Sequence, residues 1–195
     1  MDLQPEVSLR RFRELGVQDI DEMLNPYRQL GVFHDLEMGL VGREEFVARL
    51  NEHAGTDLTD EQINEAILLF LKGVPQYKFD CLEQLRKKYK IYILSNTNPY
   101  IMAYAHSPHF LPATGRTLSD YVDKVYASCE MQTMKPDRAI YEQMIADSGM
   151  VPERTLFIDD SVANLEAAAA LGLQTLLAVN ATDWRTALAA RLQHD

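Results

Sequence analysis

The chain has 195 residues, 47% hydrophobic and 25% charged, and its 19 Lys and Arg against 29 Asp and Glu give a formal net charge of −10. That composition excludes a disordered chain, and the acidic balance excludes a nucleic-acid surface, which needs clustered Lys and Arg to meet phosphates. No apolar run approaches a membrane span and MDLQPEVSLRRF lacks the basic-then-apolar order of a secretion signal, so a cytoplasmic protein is expected, with Cys81 and Cys129 in unrelated contexts.

A chain of this length fits one domain with an elaborated cap, or two small units. From Glu6 to Lys72 the periodicity is helical throughout, in SLRRFRELG, DIDEMLNPYRQLG, GREEFVARLNEHAG and TDEQINEAILLFLKG, each ending in or near a glycine as helix C-termini often do. Thr59 with Gln62 three residues on has capping-box spacing for the last of these. The first half is therefore expected to be a unit of four helices.

After Pro75 the pattern alternates: helix at DCLEQLRKKY, strands at KIYILSN and DKVYAS, helix at DRAIYEQMIADSG, strand at RTLFIDD, helix at VANLEAAAALG, strand at QTLLAV and helix at DWRTALAARLQ. Short apolar strands interleaved with amphipathic helices predict an α/β fold built on a doubly wound parallel sheet, whose chemistry collects at the carboxyl ends of its strands. Between the first two of these strands, Pro99 to Leu118 reads as a surface insertion carrying His106 and His109, too few donors for a metal site without Cys or a third His nearby.

Three strand ends carry polar residues. Asp159 and Asp160 come directly after TLFI, and two adjacent carboxylates at the end of a buried strand repel each other and lose hydration. One Asp suffices to cap the following helix; the second favours a hard cation such as Mg2+, which takes carboxylate oxygens and relieves the repulsion. Asn164, one turn along that helix, either supports the acid pair or points to solvent. Ser95 and Asn96 end KIYIL, where they serve either as turn residues or as a hydroxyl and amide cradle for phosphate. Lys135 precedes Pro136 and a helix and reads alone as a loop lysine. Their order raises all of them, because a hydroxyl, an ammonium and a metal-holding acid pair at successive strand ends form a phosphoryl-binding set.

These residues resemble the haloacid dehalogenase superfamily, most of whose members are Mg2+-dependent phosphatases. LSNTN at 94–98 looks like its second motif, MKPDRAIYEQMI with Lys135 like its third, and LFIDDSVANLEAAAALG like its fourth. The similarity covers most of the chain and is nearest to the sugar-phosphatase-like branch with a helical cap, of the glucose-1-phosphatase type. A response-regulator receiver uses a similar residue set in the opposite chain order. The resemblance implies a Rossmann-like core over residues 76–195 and a helical cap over 6–75, whose loop HDLEMG, His34 to Gly39, faces the site. It further implies that Ser95 and Asn96 hold phosphoryl oxygens, Lys135 balances charge, and Asp159 and Asp160 hold Mg2+, with Asp160 in direct contact. The implied partner is a small phosphorylated metabolite, with no nucleic acid and no membrane; nothing in the sequence fixes an oligomeric state.

The family's first motif, an apolar strand with Asp-x-Asp at its end, is absent from its expected place, so no nucleophile can be assigned. The chain's start looks like the segment that ordinarily comes after that motif. Asp19-Ile20-Asp21 has the spacing, but it sits in a helical pattern with no strand before it, and Asp19 reads as a helix N-cap. The expectation is a core missing its first central strand, which leaves the strands KIYILS and RTLFID without their usual partner, and a polypeptide that is poorly stable or inactive. Two other readings are a non-catalytic remnant that keeps the phosphate and metal cradle, and a metal-free 2-haloacid dehalogenase, against which the acid pair weighs.

Overall fold

A short strand, β1 (Asp2–Leu3), leads into α1 (Pro5–Glu14), where Pro5 occupies the opening position at which a missing N–H is harmless. Glu6 in the first turn and Arg11 and Arg13 in the last match the helix dipole, while Ser8, Leu9 and Phe12 face inward. Next are α2 (Ile20–Met23), a two-residue antiparallel pair of β2 (Leu24–Asn25) with β3 (Arg28–Gln29), and α3 (Gly31–Glu37). After these come α4 (Arg43–Ala54), α5 (Asp60–Leu68) and β4 (Leu71–Gly73), which pairs antiparallel with β1. The computed structural model describes residues 2–25, 28–179 and 182–192.

The capping box forms as the spacing predicts: the Gln62 N–H donates to Thr59 Oγ1 at 3.3 Å, and the Thr59 N–H donates to Gln62 Oε1 at 2.9 Å. The second predicted helix does not run whole. DIDEMLNPYRQLG breaks after Met23 into the β2–β3 pair and resumes as α3, with Pro26 and Tyr27 outside the described residues. The Asn-Pro step inside that run is a helix breaker, because proline pushes the residue before it out of the helical region. His34 to Glu37, expected in a loop, accordingly belong to α3. Asp19 does stand at the N-cap of α2, but its side chain makes no capping bond and pairs with His53 at 2.7 Å.

The chain continues through α6 (Gln76–Leu85), β5 (Tyr92–Ser95), α7 (Pro99–Ala105), β6 (Lys124–Ala127) and α8 (Ser128–Met131). Then come α9 (Arg138–Ser148), β7 (Leu156–Asp159), α10 (Val162–Ala169), β8 (Gln174–Leu177) and α11 (Arg185–Leu192). All four predicted strands are present in parallel pairs: β5 with β6, in register from Tyr92↔Lys124 to Ser95↔Ala127, and β7 with β8, from Leu156↔Gln174 to Asp159↔Leu177. Among the described residues each sheet is two-stranded, so β5 and β7 each present one edge without a ladder partner. No helix among these residues is long and apolar enough to cross a membrane.

Two compact units result, Met1–Gln132 and Thr133–Asp195. In the first, the rings of Phe12, Phe33, Phe46 and Tyr100 meet edge to face in sequence, with centroids 5.0–6.0 Å apart, within the helical core. Tyr100 belongs to α7, so the stretch expected to be a surface insertion instead begins with a helix that buries Tyr100, Met102 and Ala105. Asn98 caps it, accepting from the Tyr100 and Ile101 N–H groups at 3.1 Å each, and Pro99 takes its first position. A second cluster gathers Phe79, Phe110 and Tyr121. In the second unit the Tyr141 ring meets Phe157 edge to face at 5.6 Å.

Gly39, one residue past the C-cap of α3, has φ of +65° and lies so close to α8 that a Cβ would stand 2.0 Å from the Cys129 carbonyl oxygen. Gly55 has nearly the same φ, +64°, with open space around it. Gly55→Ala should therefore cost only the left-handed strain, about 1–2 kcal/mol. Gly39→Ala should cost about 2 kcal/mol more, since the backbone must also move apart. Urea denaturation of the two variants measures the difference, and equal losses would show that α8 yields freely.

Candidate functional site: strand-end carboxylates, lysine and hydroxyls

In the second unit the end of β7 places Asp159 at the start of the turn into α10. Its side chain is nearly buried, yet both oxygens are used: Oδ2 accepts from Lys135 Nζ at 2.7 Å, and Oδ1 accepts from the Ser161 N–H and from Asn164 Nδ2, each at 2.9 Å. The Lys135 side chain is 12% exposed and that of Asp159 6%, so this is an ion pair largely withdrawn from water. Burial alone would raise the Asp159 carboxyl; the Lys135 charge and the three donors outweigh it and hold the group below its ordinary value. The Lys135 ammonium also stands 5.8 Å from the centre of the Phe157 ring, whose face favours a cation.

Ser161 is the N-cap of α10, so capping is done by the residue after the acid pair. That releases Asp159 to organise Lys135 and Asn164, while Asp160 beside it is exposed. Tyr141 backs the arrangement, its hydroxyl donating to the Asn164 carbonyl at 3.0 Å, and burial and then the Asp159 charge push its phenol upward. Lys135, Asp159 and Asn164 thus converge. The two carboxylates, Asp159 and Asp160, suit Mg2+, which typically binds one or two carboxylates and keeps oxygen positions for water and phosphate. Among the described residues no three His, Cys, Asp or Glu gather as a self-sufficient metal cage.

In the first unit Ser95 ends β5, with Oγ 3.4 Å from the Asn96 carbonyl oxygen, and Asn96 is exposed. The next residue is fastened by a group that sequence reasoning does not single out. Ser128, fully buried at the start of α8, accepts from the Thr97 N–H at 2.9 Å and donates to the Thr97 carbonyl at 3.1 Å. It comes after VYA as Ser95 comes after YIL, so the same strand-end criterion finds it. Among the described residues Thr97 Oγ1 is buried with no hydrogen-bond partner, a polar group whose desolvation is uncompensated. His106 Nδ1 stands 2.8 Å from Ser119 Oγ, and His109 is exposed.

Two further groups carry no sequence signal. Burial pushes the Glu37 carboxyl at the end of α3 up to about 7. Burial, with a smaller contribution from Glu130, pushes the Cys129 thiol up to about 11. The Asp-x-Asp decoy is bound up in surface contacts, Asp19 with the His53 ring and Asp21 in an ion pair with Arg13.

Lys135→Met leaves Asp159 buried without its cation and should cost about 3 kcal/mol, whereas Lys135→Met/Asp159→Asn should cost no more than the single change; a double-mutant cycle by denaturation measures both. Because the Asp159 carboxyl is depressed, its contribution is complete above the ordinary 3.8 and is lost as the pH falls through its folded value, so the deficit of Lys135→Met should shrink in acid. Glu37 has the opposite sign: stability is complete below the ordinary 4.5 and is lost as the pH rises through about 7. Glu37→Gln should therefore stabilise by about 1–3 kcal/mol in mild alkali and by nothing in acid, which thermal melts across pH would show.

A family model described as haloacid dehalogenase-like hydrolase matches residues 7–172. A D-ribitol-5-phosphate phosphatase of Bacteroides thetaiotaomicron is 39% identical over 188 residues, 96% of this chain and 91% of the relative. Among solved structures, a predicted HAD-like family hydrolase from Porphyromonas gingivalis superposes with a TM-score of 0.93 at 47% identity, covering 100% of this chain and 93% of that one. An aspartate-to-alanine variant of a HAD family enzyme from Bacteroides thetaiotaomicron, solved in complex with magnesium and inorganic phosphate, superposes with a TM-score of 0.90 at 34% identity, covering 96% and 92%. With a family match over residues 7–172 and a relative 39% identical over 96% of its length, the chain belongs to the haloacid dehalogenase-like hydrolase family.

Proposed function

We propose that the chain carries the phosphate- and Mg2+-binding parts of a phosphatase for small phosphomonoesters, with a phosphorylated polyol as the substrate class. The observation that carries this reading is the buried Lys135–Asp159 pair, braced by Asn164 and Ser161. An ammonium fixed at a strand end, next to a second carboxylate facing water, suits a dianionic phosphoryl group. The relative named as acting on D-ribitol 5-phosphate supports the polyol class, and the relative solved with magnesium and phosphate supports the ion.

The roles come from the chemistry of each group. Ser95 and Asn96 donate to phosphoryl oxygens from the end of β5. Lys135 offsets negative charge on the phosphoryl group and on whatever carboxylate attacks it. Asp160, with Asp159 behind it, holds Mg2+, which when bound would draw charge from the phosphoryl oxygens. Asp159 cannot at once be a flexible ligand and the anchor of Lys135, so Asp160 is the direct contact. Residues 6–75 act as the cap that selects the substrate's organic part, and 76–195 as the core; this is a division by role, distinct from the two compact units.

Hydrolysis in this family's manner needs a carboxylate that attacks phosphorus while the ester oxygen leaves and takes up a proton, and then water attack that frees phosphate. The one Asp-x-Asp of the sequence is Asp19-Ile20-Asp21, whose acids are engaged by His53 and Arg13 at a helix start. We therefore propose that these residues alone bind phosphate but turn over little substrate. The pairing of those acids favours one second reading, a non-catalytic binder; the carboxylate pair disfavours a metal-free 2-haloacid dehalogenase.

Assay of two polypeptides on p-nitrophenyl phosphate with Mg2+ decides between them: residues 1–195, and the same residues preceded by an apolar strand and Asp-x-Asp. Only the longer polypeptide should turn over, and it should stop when Mg2+ is chelated. It should also favour D-ribitol 5-phosphate over glucose 1-phosphate in kcat/KM. Equal turnover by the two polypeptides overturns the nucleophile argument, and no turnover by either favours the binder.

A further inference from the structure

The loop from Ser95 to Asn98 is fastened at one side by Ser128. At its other side stands a three-residue cluster whose members are far apart in sequence. Tyr100, fully buried, donates its hydroxyl to Asp60 Oδ1 at 2.8 Å. Arg43 Nε donates to the same oxygen at 3.1 Å, its second nitrogen donates to Asp60 Oδ2, and its guanidinium lies 4.2 Å from the centre of the Tyr100 ring. Arg43 opens α4, Asp60 opens α5 and Tyr100 is the second residue of α7, so one carboxylate joins three helix N-termini.

The chemistry of the cluster exceeds what packing requires. A Phe ring would fill the slot against Phe46, but only a hydroxyl reaches Asp60, and a buried hydroxyl with one well-placed acceptor fixes ring rotation as well as position. Burial would raise the Asp60 carboxyl, yet the bonds from Arg43 and Tyr100 hold it low, so it stays an anion at a helix N-terminus where negative charge is favoured. Tyr100 lies two residues past Asn98, and Asn98 accepts from the Tyr100 N–H itself. Whatever fixes Tyr100 therefore fixes the cap of α7 and the end of the loop.

We propose that Asp60 is a positioning residue for the Ser95–Asn98 loop, acting through Tyr100 and Arg43 to hold that loop in the geometry that takes phosphoryl oxygens. The inference rests on the proposed phosphate role of Ser95 and Asn96. It makes helices distant in sequence a part of phosphate affinity by way of the loop. A loop held at both ends loses little freedom when an anion docks, whereas a loose one must be ordered first, and that cost appears as weaker binding.

The test uses the whole chain with Asp60→Asn, Tyr100→Phe and, as control, Ile63→Val, which trims the buried face of the same helix and removes none of the cluster's polar groups. Amide hydrogen exchange at Thr97, Tyr100 and Ile101, and titration with inorganic phosphate in Mg2+, are read for each. Exchange at these amides should quicken about tenfold in both cluster variants, with phosphate binding weaker by a similar factor, and neither should change in Ile63→Val at a matched loss of Tm. If Ile63→Val changes exchange and affinity as much as the cluster variants, Asp60 acts only on global stability and the proposal falls. If exchange responds selectively but the unaltered chain binds no phosphate, the phosphate role of the loop falls and takes the functional half of the proposal with it. If phosphate binds and affinity is unchanged in the cluster variants, the positioning role alone is overturned.

Discussion

A lysine and an aspartate that have given up most of their water set the terms for the second unit. Lys135 and Asp159 would each be costly to bury alone, and together they are tolerable only because both oxygens of the carboxylate are matched: Lys135 on one, Ser161 and Asn164 on the other. The turn after β7, the capping of α10 by Ser161 rather than by an acid, and the seating of Tyr141 against Asn164 all serve that requirement.

The same division of labour recurs in the first unit with uncharged groups. Ser95 and Asn96 stand at the end of β5, while the residues that fix their surroundings, Ser128, Asn98 and Tyr100, are buried and hydrogen-bonded. Strand ends in parallel sheets are where backbone groups run out of partners, so side chains there either finish the hydrogen bonding or meet a ligand. At each of the two strand ends an exposed polar residue, Asn96 or Asp160, adjoins a buried one, Thr97 or Asp159.

Much of this is legible in the sequence, because strand-end chemistry leaves a one-dimensional trace. An apolar run of four or five ending in Asp-Asp or Ser-Asn, or a lone Lys before Pro, needs no fold to be noticed, and the four core strands lie inside their predicted spans. Two helical stretches mislead for local reasons. The Asn-Pro step splits DIDEMLNPYRQLG, whereas at Asn98-Pro99 the same dipeptide starts a helix, with Asn as cap and Pro in first place. The residues after the proline decide the outcome: Tyr100, Met102 and Ala105 bury on one face. Glu37 and the Arg43–Asp60–Tyr100 cluster are illegible because their character comes from partners 17 to 40 residues away, or from burial, which no spacing encodes; Ser128 is legible only by the strand-end criterion that also finds Ser95.

Ser128 carries one more implication. The β5–β6 ladder ends at Ser95 and Ala127, but the Ser128 hydroxyl goes on to pair with both the N–H and the C=O of Thr97, as a facing peptide group would. The last rung of this sheet is thus made of side chain. Ordinary rungs are written in the backbone and survive nearly any substitution; this one exists only while codon 128 specifies a small hydroxyl residue. The reach of the sheet towards its polar end is therefore a heritable variable that a single base change can shorten, with no sheet-wide rearrangement needed.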